Sequence, residues 1–390
     1  MQAVHCQVCF RKFNAHSFLL FISVLEGEIN RNMNQKTICV IFGGVSPEHE
    51  VSCRSGAMVL ENIDRSRFNV LPVGIRKDGA WFLTADDVEL VRSGAWETAP
   101  ENQPVVFSPS RGGEKSGLLV GERCIHPDCI FPILHGENGE DGSIQGLFQL
   151  AGVPFVGSGV AGAAISMDKI YTKIICASDG IPQAAWVAST DPEEPAEALA
   201  ARVETRFSYP VFVKPANTGS SVGVSKAKSH AELMDAIAEA RRFDTRILIE
   251  ELIDGLELET AVLGNRAEIV SGVGQIIPTK EFYTYDAKYN DATSETRFDP
   301  PIPPEKTEEL RQTAARVFRL LSCKGLSRVD FFLRKSDMQV IFNEINTLPG
   351  FTSISMYPKL VERIGISNRD MITRLIEAAI SRQGGCANHG

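Results

Sequence analysis

The sequence predicts an α/β chain of 390 residues: a parallel-sheet domain first, then an α+β part made of two further domains. Three stretches carry this expectation. The run T-I-C-V-I-F-G-G (37–44) is continuously apolar and ends in two glycines, as a buried parallel strand opening an α/β domain does. The run Y-P-V-F-V-K-P-A-N-T-G-S-S-V-G-V-S-K-A (209–227) sets a lysine inside an apolar strand, then a Gly/Ser loop, then a second strand. The stretch 323–356 has two apolar runs flanking a short Lys/Ser/Asp turn, a β-hairpin pattern.

Composition narrows the class. Apolar content of 43% and charged content of 23% fit a soluble globular chain. A net charge of −9 argues against a general nucleic-acid binder. No 18-residue apolar run is present, so no membrane span is expected. Nine cysteines without framework spacing suit a reducing cytoplasm. Residues 1–32 read as a poorly packed extension, and the domain proper is expected to begin near Met33. Cys6, Cys9 and His16 make only one C-x₂-C with a distant histidine, too few ligands for a structural zinc site.

After the first strand, Ser46 is the expected helix N-cap with Pro47 at the first helical position. This helix starts at the carboxyl end of a strand, where α/β proteins place ligands. Glu48 and Glu50 fall in its first turn, where the dipole favours carboxylates; that role suffices for Glu50. A G-x-G-x-x-G dinucleotide motif is absent. The run 68–75 is the next strand, and the polar 84–123 segment reads as loops with a short hairpin. Residues 129–157 read as strand, acidic Gly loop, helix and strand, with His135 where the first of these strands ends. A lone histidine is usually structural, but this position raises its odds of a role.

The small-residue run 157–162 reads as a hinge. S-M-D-K-I-Y-T-K-I-I-C-A-S-D-G-I-P then predicts a helix with Lys169 near its start, where the dipole disfavours a cation. An anionic ligand would explain that placement; a solvated lysine is the ordinary alternative. In 209–227, Lys214 ends the apolar strand, and Gly219, Ser220, Ser221 and Gly223 offer backbone N–H groups that could cradle phosphate. No Walker motif is present. Residues 246–264 read as two strands linked through 254–255, with Glu250, Glu251 and Glu257 placed to line an adenine–ribose pocket. The aromatic, charged run 281–291 reads as an ordered loop over a site, with Lys288 and Tyr289 able to enter it. Residues 303–321 form an amphipathic structural helix.

In the hairpin, strand alternation puts Phe342, Glu344 and Asn346 on one face, with Asp330 opposite 342–344 on the partner strand. These three polar groups offer only oxygen, which suits a hard ion such as Mg²⁺ with phosphate as its other ligand. The same pattern also fits an ordinary hairpin with a polar outer face.

The blocks V-K-P-A-N-T-G-S-S-V-G-V-S-K, I-L-I-E-E, D-A-K-Y, R-V-D-F-F-L and N-E-I-N-T-L-P-G-F-T resemble an ATP-grasp enzyme. Together with G-G-V-S-P-E-H-E-V-S, H-G-E-N-G-E-D-G and S-M-D-K they resemble the D-alanine–D-alanine ligases. The match runs in order from residue 36 to about 382. It implies an N-terminal α/β substrate domain (33–157) followed by a two-domain ATP-grasp fold (158–254 and 255–382), with a tail from 383.

The resemblance implies that ATP phosphorylates the carboxylate of one D-alanine and that the amine of a second attacks the acyl phosphate. It assigns two Mg²⁺ (or Mn²⁺) to Asp330, Glu344 and Asn346, and phosphate contacts to Lys169, Lys214 and Lys288. Ser221, Glu250, Glu251, Leu252, Ile253, Glu257, Phe282 and Asn343 would complete the ATP site. Arg328 and the Gly350 N–H would stabilise the oxyanion. Glu48 would hold the first substrate's ammonium, with His135 beside it. Ser355 and Met356 would hold the second substrate's carboxylate. Tyr289, Ser220 and Glu48 would close the lid.

A cytoplasmic homodimer acting on small molecules, without nucleic-acid or membrane partners, is the implied setting. The closest rival makes D-alanyl-D-lactate and lacks the Lys288–Tyr289 pair; another ATP-grasp carboxylate–amine ligase would lack the Glu48 and His135 segments. A non-catalytic nucleotide-binding regulator would have lost a metal ligand or the oxyanion arginine, and neither is missing. Because residues 1–32 show no periodic core pattern, their deletion is expected to leave turnover and melting temperature unchanged; a clear fall in melting temperature would show that they pack on the domain.

Overall fold

The computed structural model describes residues 35–112, 116–220, 222–265, 268–277 and 295–384. The extension 1–32, Ser221, and the loop carrying Phe282, Lys288 and Tyr289 lie outside the described residues. Strands β1 (Lys36–Gly43) and β2 (Phe68–Ile75) run parallel. Strands β3 (Trp81–Leu83) and β4 (Gln103–Pro104) extend this sheet antiparallel, and β8 (Cys129–Pro132) pairs parallel with the other side of β1. Ile38 to Phe42 are fully buried, because both faces of β1 are covered, which is why the run reads as unbroken apolar sequence.

Helix α1 (His49–Asn62) covers one face of β1. It starts two residues later than its sequence suggests. Glu48, not Ser46, occupies the N-cap, and the Ser46 hydroxyl instead accepts the Glu48 N–H at 2.9 Å. A turn over 45–48 uses up the Pro47 position before the helix begins. The polar 84–123 segment is more ordered than a loop with a hairpin. It holds α2 (Val88–Ser93), a 3₁₀ turn with buried Trp96, and a small antiparallel sheet of β5 (Val106–Ser108), β6 (Gly117–Val120) and β7 (Arg123–Ile125). Scattered apolar residues, Phe107, Leu118 and Val120 among them, reach the first core from this sheet. The expected strand after α3 (Ser143–Ala151) reduces to one bridge between Ile130 and Phe155.

The 160–178 segment is two helices, α4 (Val160–Met167) and α5 (Lys169–Ser178). Asp168 breaks them and caps the second by accepting the Ile170 and Tyr171 N–H groups. Two antiparallel sheets follow. The first has the order β11 (Ser225–Ala227), β10 (Val211–Pro215), β12 (Ile247–Glu251), β9 (Trp186–Ser189). With α6 (Ala196–Glu204) and α7 (His230–Ala240) it encloses its own core of residues such as Leu199, Val213 and Ile237. The second has the order β15 (Glu295–Phe298), β14 (Ile269–Ile277), β13 (Gly255–Gly264), β16 (Gly325–Arg334), β17 (Val340–Asn346).

Helix α8 (Pro304–Leu320) buries Leu310, Ala314, Val317 and Phe318 against one face of this sheet. On its other side, α9 (Met356–Arg363) and α10 (Asn368–Gly384) join a core that also contains Val40, Phe42 and Phe131 of the first sheet. The N-terminal sheet and the last sheet therefore share one apolar core, while the middle sheet keeps its own. Among the described residues no helix is long and apolar enough to cross a membrane.

Gly74 in β2 shows how tightly the first core is closed: a Cβ there would lie 2.2 Å from the Trp96 ring. Gly74→Ala is expected to destabilise the protein by about 1–3 kcal/mol through overpacking, read from urea unfolding. An unchanged midpoint would mean that the indole can move aside.

Candidate active site

Two adjoining cavities lie where the three sheets meet. The larger, about 430 Å³, sits between the two antiparallel sheets and is within the range of small-molecule pockets. Its walls include Phe212, Glu250 to Ile253, Glu257 and Asn343. The smaller, about 100 Å³, is lined by Glu48, His135, Lys169, Ser220, Arg328, Glu344, Asn346 and Gly350. Lys214, Arg328 and Glu344 face both. The link from β12 to β13 crosses from one sheet to the other, which brings the acidic residues of 250–257 to the joint.

The hairpin places Asp330 beside Glu344 and Arg328 beside Asn346 in adjacent registers. A bulge after Asp330 leaves Asn343 as the extra residue and reverses the alternation. Phe342 therefore points into the core against Phe331, not to the face shared by Glu344 and Asn346 as simple alternation predicts. Asn343 turns instead to the larger cavity.

Arg328 is the centre of charge on this face. Its guanidinium bonds both oxygens of Asp330, at 2.8 and 2.7 Å, and lies 3.2 Å from Glu259. Burial alone would favour the neutral guanidine, but Asp330 and Glu259 overcome it and hold its pKa well above the ordinary value. The Asn346 amide donates to Asp330 at 3.1 Å. Among the described residues no cluster of three His, Cys, Asp or Glu side chains forms a metal site. The set here has two carboxylates and one amide on neighbouring strands, and these are hard oxygen donors that fit Mg²⁺ or Mn²⁺. Asp330 uses three of its roughly four acceptor positions within the protein, so a metal here would share it with Arg328.

A second charge cluster lies across the joint. Glu250 is buried between Lys173 at 2.5 Å and Lys214 at 2.6 Å. Burial by itself would raise the Glu250 pKa; the two lysines override it and hold the carboxyl down to about 2. Burial pushes the Lys214 pKa down, but Glu250, Glu344 and Glu257 together outweigh it and raise it. Lys169 is lowered, first by burial, and its ammonium donates to the Thr218 carbonyl. Two lysines share one buried carboxylate and a third has a carbonyl; Glu344 also acts on Lys169 and Lys214, so the lysines sit among carboxylates on both sides.

The first domain contributes Glu48 at the N-cap of α1, buried, with one oxygen accepting the Ser220 hydroxyl. Its other oxygen lies against two glycines: a Cβ at Gly136 would be 2.6 Å from it and one at Gly219 3.3 Å. Ser220 itself has φ of 49°, a left-handed conformation uncommon for a residue with a side chain. His135 bonds the Leu348 carbonyl through Nδ1 at 2.9 Å and Ser55 Oγ through Nε2 at 3.0 Å.

The loop 347–351 is held from both ends. The Leu348 N–H donates to Glu140 at 3.1 Å, Pro349 has no N–H, and the Phe351 N–H donates to Ser55 Oγ at 3.2 Å. Within 348–351 the Gly350 N–H is the one these bonds do not use, and Gly350 lines the cavity that Arg328 also lines. Ser355 sits against Gly350, where a Cβ would meet its hydroxyl at 2.8 Å. Met356 opens α9 with its side chain packed over Gly274.

The structure thus gathers Glu48, His135, Lys169, Lys214, Ser220, Arg328, Asp330, Glu344, Asn346 and Gly350 around one joint, with Glu250 to Ile253, Glu257 and Asn343 on the adjoining wall. Ser355 and Met356 line neither cavity: Ser355 meets the smaller one only through Gly350, and the Met356 side chain is buried in the shared core. Sequence reasoning missed Glu259, Lys173, Glu140 and Ser55. Spacing carried a signal for two of them: Glu259 follows Glu257 by two residues in a strand, and Lys173 follows Lys169 by four in a helix.

Two antiparallel sheets gripping a cleft lined by buried lysines and carboxylates, with an oxygen-donor hairpin at its floor, are the ATP-grasp arrangement. Known proteins narrow this further. Residues 37–158 match the family model described as D-ala D-ala ligase N-terminus, and residues 175–377 match D-ala D-ala ligase C-terminus. The D-alanine--D-alanine ligase of Acetivibrio thermocellus is 46% identical over 366 residues, covering 90% of this chain and 97% of that protein. The ligase of the same name from Ruminiclostridium cellulolyticum is 46% identical over 363 residues, covering 90% and 96%.

Among solved structures, the VanG D-Ala:D-Ser ligase of Enterococcus faecalis matches at 38% identity and TM-score 0.81, covering 88% of this chain and 99% of that one. The D-alanine-D-alanine ligase of Coxiella burnetii matches at 33% and TM-score 0.81, covering 91% and 97%. The chain belongs to the D-alanine–D-alanine ligase family.

Glu250 carries a pH signature. Its pKa is lower in the fold than the ordinary 4.5, so it adds stability above pH 4.5 that is lost as pH falls towards about 2. Glu250→Gln leaves two buried ammonium groups facing a neutral amide and is expected to cost about 3–5 kcal/mol at pH 7. The gap between wild type and variant should narrow as urea unfolding is repeated from pH 5 down to 3. A gap independent of pH would mean that Glu250 is not the charge that holds the lysines.

Proposed function

We propose that this chain uses ATP to join two D-alanines into D-alanyl-D-alanine, a precursor for peptidoglycan synthesis. The observation that carries the reading is the placing of Arg328 and the Gly350 N–H on one cavity that Glu48 closes from one side and Lys169 and Lys214 from the other. Glu48 binds the ammonium of the first D-alanine, with His135 beside it, and so directs its carboxylate towards the lysines. Adenine and ribose lie along Glu250 to Ile253 and Glu257, with Asn343 and the residues Ser221 and Phe282. Lys169, Lys214 and Lys288 meet the phosphates.

The carboxylate oxygen attacks the γ-phosphorus, the bond to the β-phosphate oxygen breaks, and ADP leaves an acyl phosphate. The amine of the second D-alanine, held by Ser355 and Met356 N–H groups, attacks the acyl carbon, and the proton it loses leaves with the departing phosphate. The carbonyl oxygen takes the charge, facing Arg328 and the Gly350 N–H. The C–O bond to phosphate then breaks, releasing phosphate and the dipeptide. Two Mg²⁺ or Mn²⁺ on Asp330, Glu344 and Asn346 would neutralise phosphate charge. Tyr289, with Ser220 and Glu48, closes the loop over the site.

The same reading divides the chain at 33–157, 158–254 and 255–382 and makes it a cytoplasmic homodimer. A second reading takes D-serine as the attacking amine; it is favoured by the match to a D-Ala:D-Ser ligase at 38% identity. Incubation with ATP, Mg²⁺ and D-alanine, alone or with D-serine or D-lactate, separates these by the mass of the product. D-alanyl-D-alanine is expected to dominate; no D-alanine-dependent phosphate release would sink the proposal. Glu344→Gln is expected to abolish ligation with the melting temperature retained. Near wild-type turnover would remove Glu344 from the metal site.

A further inference from the structure

We propose that Ser55, a fully buried serine on α1, is a positioning residue that sets the aim of the Gly350 N–H. The inference rests on the ligase reading above for the role of that N–H. It starts from a closed circuit of three hydrogen bonds. The Phe351 N–H donates to Ser55 Oγ at 3.2 Å. Ser55 Oγ lies 3.0 Å from His135 Nε2. His135 Nδ1 lies 2.9 Å from the Leu348 carbonyl oxygen. The circuit leaves the turn at Phe351 and returns to it at Leu348, so it brackets Pro349 and Gly350.

The direction of each bond follows from what each atom can do. A carbonyl oxygen only accepts, so His135 Nδ1 carries a proton. A backbone N–H only donates, so a lone pair of Ser55 Oγ faces Phe351. Ser55 Oγ keeps a hydrogen and a second lone pair, so it bonds Nε2 either by donating to a bare nitrogen or by accepting from Nε2–H. The proton on Nδ1 is the one the circuit requires. Glu140 adds the Leu348 N–H, and Pro349 has none to give, so within the clamped span the Gly350 N–H is the donor these bonds do not use, and Gly350 lines the cavity.

Helix α1 belongs to the first sheet and the clamped turn follows β17 of the last. These two sheets share a core, so the clamp ties the turn to a rigid body. An oxyanion donor works only if it is aimed before charge develops. The Ser55 hydroxyl touches neither reactant; it acts through Phe351 and His135.

Ser55→Ala removes the hydroxyl and leaves the helix its preferred residue. Misaiming one donor is expected to lower kcat about ten- to a hundredfold, with KM for ATP within about twofold, the latter because the nucleotide wall is on other strands. The step that forms the acyl phosphate is read separately by scrambling of oxygen label between bridging and non-bridging positions of ATP in the presence of D-alanine. Scrambling should persist in Ser55→Ala while dipeptide formation falls. Ser55→Thr, which keeps the hydroxyl, should recover most of kcat. A kcat equal to wild type, a parallel loss of scrambling and ligation, or a threonine variant no better than alanine would each overturn the proposal.

An independent arm needs no variant and no substrate. In full-length protein labelled with ¹⁵N-histidine, His135 is expected to carry a proton on Nδ1; a bare Nδ1 leaves the Leu348 carbonyl without its donor, breaks the circuit and overturns the proposal. Wild type that forms no dipeptide would instead refute the ligase reading.

Discussion

Cations taken out of water need a counter-charge, and the site is arranged around that need. Arg328 is buried on an interior strand of a sheet and survives there because Asp330 grips it on both oxygens and Glu259 approaches from the neighbouring strand. Lys173 and Lys214 are held likewise by Glu250. These pairs are not surface ornaments worth a few tenths of a kcal/mol; they are desolvated, and removing one partner strands the other. They keep positive charge fixed at the joint before any ligand arrives, which is the condition for stabilising phosphate and oxyanion charge without reorganisation.

The joint has two kinds of wall. One is stiff. The first and last sheets share an apolar core, and the loop 347–351 is bonded into it through Ser55, His135 and Glu140. The other is separate. The middle sheet has its own core and reaches the site through its Gly/Ser loop, where the Ser220 hydroxyl meets Glu48. An anionic ligand between them would be met by fixed donors on one side and by the lysine strand and its loop on the other. The close approach of Gly136 and Gly219 to Glu48 belongs to the same contact, since a methyl group at Gly136 would collide with the carboxylate.

Local pattern carried the order of most elements and the class of fold, and it singled out Glu48, His135, Lys169, Lys214, Glu250, Asp330, Glu344 and Asn346 as candidates, while Arg328, Gly350, Ser355 and Met356 came from the family resemblance. The apolar run 37–44 could only be a covered strand, and a lysine at the end of V-F-V-K-P could only be there for charge. Residue types at 330, 344 and 346 named oxygen donors because no other chemistry was on offer. Pattern failed where a single residue changes parity or where apolar groups are sparse. The bulge at Asn343 turns Phe342 into the core, and nothing in N-E-I-N announces it. The 84–123 segment hides Trp96 and a three-stranded sheet among prolines, serines and glycines.

What the sequence determined by itself was therefore which residues are chemically able to act, because type and spacing set charge, donor chemistry and strand face. Only the tertiary structure decided which of them meet. Ser55 lies 80 residues from His135 and 296 from Phe351, and Glu140 lies 208 from Leu348. Glu259 and Arg328 come together because two strands far apart in the chain are neighbours in one sheet. Hydrogen bonds and ion pairs act over about 3–4 Å. Contacts of that range between such distant segments depend on how whole sheets pack, which no local stretch encodes.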